Sequence, residues 1–363
     1  MGLYKLLDWV NKNELNWSNF SSNVNAIHIL ENNLDKVNWF HLSCNPNAIH
    51  ILKKNLDKVN WHNLSCNPNA IHLLDKNLDK VDWYNLSCNP NAIHILDKNL
   101  DKVDWYNLSC NPNAIHILEN NLDKVNWDCL SRNRNAIHIL ENNLDKVHWD
   151  CLSRNPNAIH ILEKNLDKVD WFFLSSNPNA IHILEKNLDK RVDWVFLNRN
   201  PNAIHILEKN LEKISWYGWN SLSYNPNAIY ILENNLGKVH WDCLSLNPNA
   251  IHLLEKNLDK VLWRYLSKNP NAIHILEKNL HNVDWSYLSS NLNIFKLNLS
   301  FLKTRMDVLR EDLMKNVFHP KRVMRFINDY EYNILEDEIC KVDENYLETS
   351  SNPLQRLLKR KFV

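Results

Sequence analysis

Residues 45–66 read NPNAIHILKKNLDKVNWHNLSC, and most of the chain is this stretch written again. Anchored on its alanine, copies recur at Ala26, Ala48, Ala70, Ala92, Ala114, Ala136, Ala158, Ala180, Ala203, Ala228, Ala250 and Ala272, with Ile294 in the same slot of a decayed last copy. The step, Ala48 to Ala70 for example, is 22 residues nearly throughout. A fixed period in the twenties marks a stacked array whose units are too small to bury their apolar faces alone and use their neighbours to do so. The fold class that follows is all-α: a solenoid of about 13 short two-helix units.

Each unit carries its own punctuation. Asn45 followed by Pro46 reads as an N-cap and first helical residue, and predicts a first helix of about ten residues. That helix ends at Asn55, which with Leu56 behind it suits a left-handed C-terminal residue and its apolar contact. Val59 and Trp61 lie about 200° apart on a helical wheel, so a turn must separate them. The residue before the tryptophan is Asn60, Asp82, Asp104 or an equivalent in most units, a second N-cap that opens a short second helix over residues 61–65.

Residues 1–22 contain a half-unit, with Asn16 and Trp17 in register, and read as an N-terminal cap. The array spans 23–297, with register breaks at Arg191 and at residues 217–219, where Trp216 and Trp219 both claim the tryptophan slot and the stack is expected to bend or slip. At about 10 Å per unit the expected body is elongated, on the order of 130 Å. From residue 298 the repeat is gone. There a helical module is expected to cover the open end: Ser300 caps a helix carrying Leu302, Met306, Leu309 and Leu313, a second helix covers 320–329, and two more end near Lys359, Arg360 and Lys361.

Composition narrows the functions. Lys plus Arg and Asp plus Glu both number 42, so no long-range field draws the chain to nucleic acid or an anionic membrane. Three glycines leave nothing from which to build a phosphate-cradling loop. No HExxH, CxxC, GxSxG or Walker sequence is present, so no enzyme and no cofactor are expected. The opening MGLYKLLDWVNK suits neither a signal peptide nor myristoylation, and no apolar run is long enough to span a bilayer. Cys44, Cys66, Cys88 and Cys110 stand one unit apart, beyond disulfide reach and too far for neighbours to share a zinc ion, so free thiols of a reducing cytoplasm and no metal are expected.

Two kinds of surface column remain. His28, His50, His72 and their equivalents form a stripe on the first helix, with Tyr230 as the exception. A pH- or metal-responsive ladder is one reading of it, and a duplicated exposed position the other. The second kind varies within the chain. It comprises the two positions after each tryptophan and the position four before each alanine, which share the side of the second helix opposite Trp and Leu. Their aromatics and arginines are the types that make interface hot spots: Phe40, His41, His62, Tyr84, Tyr106, Arg132, Arg154, Phe172, Phe173, Phe196, Arg199, Tyr224, Arg264, Tyr265 and Tyr287. A fixed frame with one diversified face predicts a monomeric, non-catalytic protein-interaction scaffold. The alternative is a modular reader of RNA or other single-stranded nucleic acid, with aromatics stacking on bases, but the neutral chain lacks the basic footprint for it.

The stretches NPNAIHILEKNLDKVDW (155–171), LLDWVNKNELNW (6–17) and EDLMKNVFHPKRVMRFIND (311–329) together resemble a family of uncharacterised repeat proteins encoded by giant DNA viruses of the mimivirus kind. The resemblance covers residues 1 to 330. It implies a virus-encoded solenoid in the host cytoplasm or virion, an adaptor meeting a host or viral protein, and it transfers no catalytic residue. Val24 and Arg134 where proline is usual, Gly237 where aspartate is usual, and the 217–219 insertion depart from the pattern.

Overall fold

Residues 3–188, 191–316, 319, 321 and 322 are described in the computed structural model of the protein. Each full unit of the array is indeed a pair of short helices, but the first is about half the expected length. In residues 45–66, Asn45 is extended (ψ 114°), as the position before a proline must be, and it caps a turn rather than a helix. Its Oδ1 accepts the Asn47 N–H at 3.1 Å and its carbonyl the Ala48 N–H at 3.1 Å. Ala48 then sits at φ −89°, ψ 4°, and only beyond it does the helix Ile49–Lys54 run. Asn55 is not left-handed: with φ −136° it ends the helix through its side chain, Nδ2 donating to the Ile51 carbonyl at 2.9 Å. The second helix, Trp61–Cys66, begins where expected, Asn60 Oδ1 accepting the Asn63 N–H at 2.9 Å.

Stacking is built from polar ladders running through the apolar core. Asn67 donates both hydrogens of its buried side-chain amide to the preceding unit, to Ser43 O at 3.0 Å and Asn45 O at 3.1 Å. The buried Ser65 hydroxyl donates to Trp61 O at 2.8 Å and accepts the Asp82 N–H of the following unit at 3.0 Å. Asn69 Nδ2 reaches Pro46 O at 3.0 Å. Around these bonds Ala48, Ile51, Leu52 and Leu64 are buried, and Lys80 of the next unit lies over the Trp61 ring at 5.3 Å. A buried polar group costs little only when every partner is supplied, and here each unit supplies its neighbour's, except where Asn198 replaces the serine and its buried Oδ1 has no partner.

The ladders have no end. Asn23 donates to Ser289 O at 3.2 Å and Asn291 O at 3.1 Å, and Asn16 N–H to Ser289 Oγ at 2.8 Å. Asn25 donates to Leu292 O at 3.2 Å. The asparagine bonds are those that join every other pair of neighbours, and the serine bond is the one made at each interface except that of Asn198, which stands in the serine slot, so the first unit stacks on the last. The thirteen buried asparagines from Asn23 to Asn291 form one closed circuit.

Both chain ends contribute to the closing unit. Strand β1 (Tyr4–Leu6) pairs antiparallel with β2 (Phe295–Leu297), Lys5 facing Lys296, and β2 stands where the other units begin their first helix. Residues 7–22 then supply the turn and the second helix Trp17–Ser21. Phe20 stacks on Phe295 at 6.0 Å, Trp9 packs on Trp285 at 6.4 Å, and Asp8 pairs with Lys296. The expected elongated body and its N-terminal cap are therefore replaced by a ring, because the half-unit at each end completes the other.

Second helices pack directly on one another from unit to unit, whereas the first helices stand further apart and are bridged by long side chains. In a closed circle with equal numbers in both layers, the more closely spaced layer has the smaller radius. The second helices therefore form the inner wall.

Neither insertion breaks the circuit. Arg191 takes the lysine's place over the preceding tryptophan, Trp171, at 5.4 Å. The three extra residues near 217 lengthen the second helix to Trp216–Tyr224; Trp219, 4% exposed, fills the tryptophan slot and Trp216 is left outside. Asn225 still reaches Asn198 O at 3.2 Å and Asn200 O at 3.3 Å. The expected slip is absorbed as one added turn of helix.

The chain divides after Leu297 into two compact units. The second opens with the helix Leu299–Asn316, capped not by Ser300 but by Asn298, whose Oδ1 accepts the Phe301 N–H at 3.3 Å. The helix expected over 320–329 and those after it lie outside the described residues. Among the described residues no helix is long and apolar enough to cross a membrane.

Candidate binding surface

The inner wall is the face on which the variable columns lie, and the columns separate once the units stack. The position after each tryptophan opens into the lumen: Tyr84 is 55% exposed, with Phe40, His62, Tyr106, Phe172 and Arg264 exposed in equivalent places. So does the position four before each alanine, which carries the exposed Arg132, Arg154, Arg199 and Tyr224. Ten of the fifteen expected contact residues thus face solvent together.

The other five, His41, Phe173, Phe196, Tyr265 and Tyr287, occupy the second position after the tryptophan and are half-buried between units. That position is an extension of the stacking frame. Asn63 donates to Phe40 O at 2.8 Å and Asn107 to Tyr84 O at 3.1 Å, each bridging to the unit before. Phe172 and Phe196 meet across units at 3.6 Å and Tyr265 and Tyr287 at 6.4 Å. Arginines lie over these rings: Arg154 on Phe173 at 3.5 Å and Arg264 on Tyr287 at 4.7 Å. The stacked arginine keeps its charge at the lumen while its plane covers the aromatic face.

Around the wall the chemistry changes by arc. Phe40, His62, Tyr84 and Tyr106 alternate with Cys44, Cys66, Cys88 and Cys110; Asp128, Arg132, Asp150 and Arg154 follow; then comes the Phe172, Phe173 and Phe196 cluster. The cysteines reach solvent, yet packing desolvates their sulfurs. Burial pushes the Cys66 thiol up to about 11 and the Cys110 thiol up to about 12. Both stay protonated at neutral pH and are poor nucleophiles.

On the outer layer the histidine stripe is paired with the unit before wherever that unit presents a glutamate, as it does not for His72, His94 and His116. His160 Nε2 meets Glu141 at 2.6 Å, His182 meets Glu163 at 2.5 Å and His274 meets Glu255 at 2.6 Å. These are half-exposed surface pairs, each worth about 0–1 kcal/mol. Two exposed aromatics escaped the sequence reading. Trp216 and Tyr217, 69% and 75% exposed, stand on the added helical turn, and the 217–219 insertion was the signal that could have found them.

Comparison with known family models, curated proteins and solved structures returns no match.

Proposed function

We propose that the ring is a non-catalytic interaction scaffold that holds a protein partner against its second-helix wall. The observation that carries this reading is the contrast within one wall: a frame whose buried asparagine is repeated thirteen times, with serine and leucine beside it in nearly every unit, and next to that frame two lumen-facing columns in which aromatics and arginines vary from unit to unit. Rigid aromatic anchors on a fixed frame lose little entropy on binding.

Size agrees with a protein ligand. Thirteen steps of about 8–10 Å make a circumference of about 100–130 Å, and subtracting one helix diameter of about 10–12 Å leaves a lumen about 20–30 Å wide. A helical or extended segment enters such an opening. Asp128, Asp150 and Asp242 among the arginines favour a partner of mixed charge over a polyanion. Because the array closes on itself, no open end remains for residues 298–363 to cover, which favours a docking role for that module.

The test compares proteins captured from lysate by the wild type and by Tyr84→Ser/Tyr106→Ser/Phe172→Ser, with unfolding midpoints checked first. Loss of a captured protein, reproduced with that purified partner, supports the scaffold. An unchanged partner set, or retention on RNA at physiological salt that the triple variant abolishes, overturns it.

A further inference from the structure

We propose that His148, Asp150 and Cys151 bind a single divalent cation of the zinc type, with Asp128 of the preceding unit orienting the histidine. The donor atoms of the three residues lie within 4.8 Å of one another, and together they offer nitrogen, oxygen and sulfur, the set that a borderline metal such as zinc prefers. His148 Nδ1 is 2.7 Å from Asp150 Oδ1, on the side of the ring toward the second helix Trp149–Ser153. The other ring nitrogen, Nε2, is 3.2 Å from Asp128 Oδ1. A metal on Nδ1 leaves Nε2–H to donate to Asp128, the carboxylate–histidine–metal arrangement that fixes tautomer and ring direction.

Local structure has been rearranged around this group. The slot of His148 holds Asn or Asp in most units, where the side chain caps the second helix; His148 makes no cap. Asp150 turns back instead, its Oδ1 accepting the Cys151 N–H at 2.7 Å. Cys151 is buried, and Arg132 Nε donates to its sulfur at 3.2 Å. Charges then balance: a divalent ion offsets the Cys151 thiolate and Asp150, and Arg132 offsets Asp128. His148 is half-exposed, so the ion has a path in and water completes its coordination.

The chain contains its own control. His240, Trp241, Asp242 and Cys243 repeat the same four residues, but the preceding unit presents Asn220 where Asp128 stands. There the His240 ring packs on Trp216 at 4.2 Å with its Nε2 buried and unpartnered. Among the described residues only the His148 group converges.

Cobalt(II) titrated into the full-length protein is the test, followed by displacement with zinc. The expected result is one equivalent bound, with a thiolate-to-cobalt charge-transfer band that Cys151→Ser removes and Cys243→Ser leaves. Asp128→Asn should weaken binding about 10–100-fold. His148→Asn restores the capping residue of the preceding unit, Asn126, so it should fold at least as well as the wild type while losing the zinc-induced rise in unfolding temperature. The proposal is overturned if no stoichiometric cobalt binds, if the band survives Cys151→Ser, or if zinc stabilises His148→Asn as much as the wild type.

Discussion

Asn23 and Asn291, at opposite ends of the repeat array, are joined by the same side-chain-to-carbonyl bond, 3.1 Å long, that links each asparagine of the ladder to its neighbour one unit back. This contact turns a stack into a ring. Closure also removes the need for polar end-caps, because each terminal unit buries the other's apolar face.

Removing that bond should open the seam. Asn23→Ala loses two donors to buried carbonyls and should cost about 2–3 kcal/mol locally. Hydrogen exchange should then quicken together over residues 4–20 and 286–296, with an increase in radius of gyration by small-angle scattering. Protection lost only around residue 23, with β2 still protected, would count against closure.

The serine ladder predicts a sharp positional contrast. Ser109→Ala strands the buried N–H of Asn126 and should destabilise by about 1–3 kcal/mol in urea. Ser176→Ala, where the half-exposed hydroxyl meets only Phe173 O, should stay within about 0.5 kcal/mol. Equal effects would mean that the ladder is not what joins the units.

Two glycines should respond oppositely to alanine. At Gly218 a Cβ would lie 2.7 Å from Asn198 Nδ2 and 2.9 Å from Ile214 Cγ2, because the added helical turn passes close to the preceding unit; Gly218→Ala should lower stability by about 1–3 kcal/mol. At Gly237 a Cβ meets nothing within 4 Å, and Gly237→Ala should be neutral or gain about 0.4–1 kcal/mol. Thermal melts of the two variants decide this.

Desolvation lowers the pKa of His28 below its usual 6.5. The unfolded chain therefore takes up a proton there more readily than the folded one. Its contribution to stability is present above about pH 6.5 and is lost as pH falls through the window below that value. His28→Gln should flatten part of the stability–pH slope just below pH 6.5, and an unchanged slope would refute the assignment.

Alkylation should report the shielded thiols. With Cys66 near 11 and Cys110 near 12, iodoacetamide at pH 8 should label both at least about tenfold more slowly than in urea, where cysteine titrates near about 8.5. Rapid labelling of the folded protein would show that the sulfurs are not desolvated.

Much of the candidate surface was legible before any coordinates. Its first and third columns, with Tyr84 and Arg154 as examples, stay exposed on the side of the helix opposite Trp and Leu, as the helical wheel required; that this side faces a lumen followed only from closure. The middle column was misassigned because a wheel shows which side of one helix a residue occupies and not how near the next helix stands. Asn63, Phe173 and Tyr287 lie on the outward side of their own helix and still touch the unit beside them.

Sequence alone determined the unit: its period, the Asn60 cap, the buried alanine and leucines, and the half-copies at Trp17 and Ile294. Those are local properties, set by propensity, capping chemistry and apolar spacing within one repeat. Tertiary structure decided that Asn45 caps a turn, that Asn55 closes its helix with a side chain, and above all that the array is a ring. A rotation of about 28° per unit brings thirteen units full circle. That angle comes from how closely the second helices pack relative to the first, summed over every interface, and no single repeat contains it.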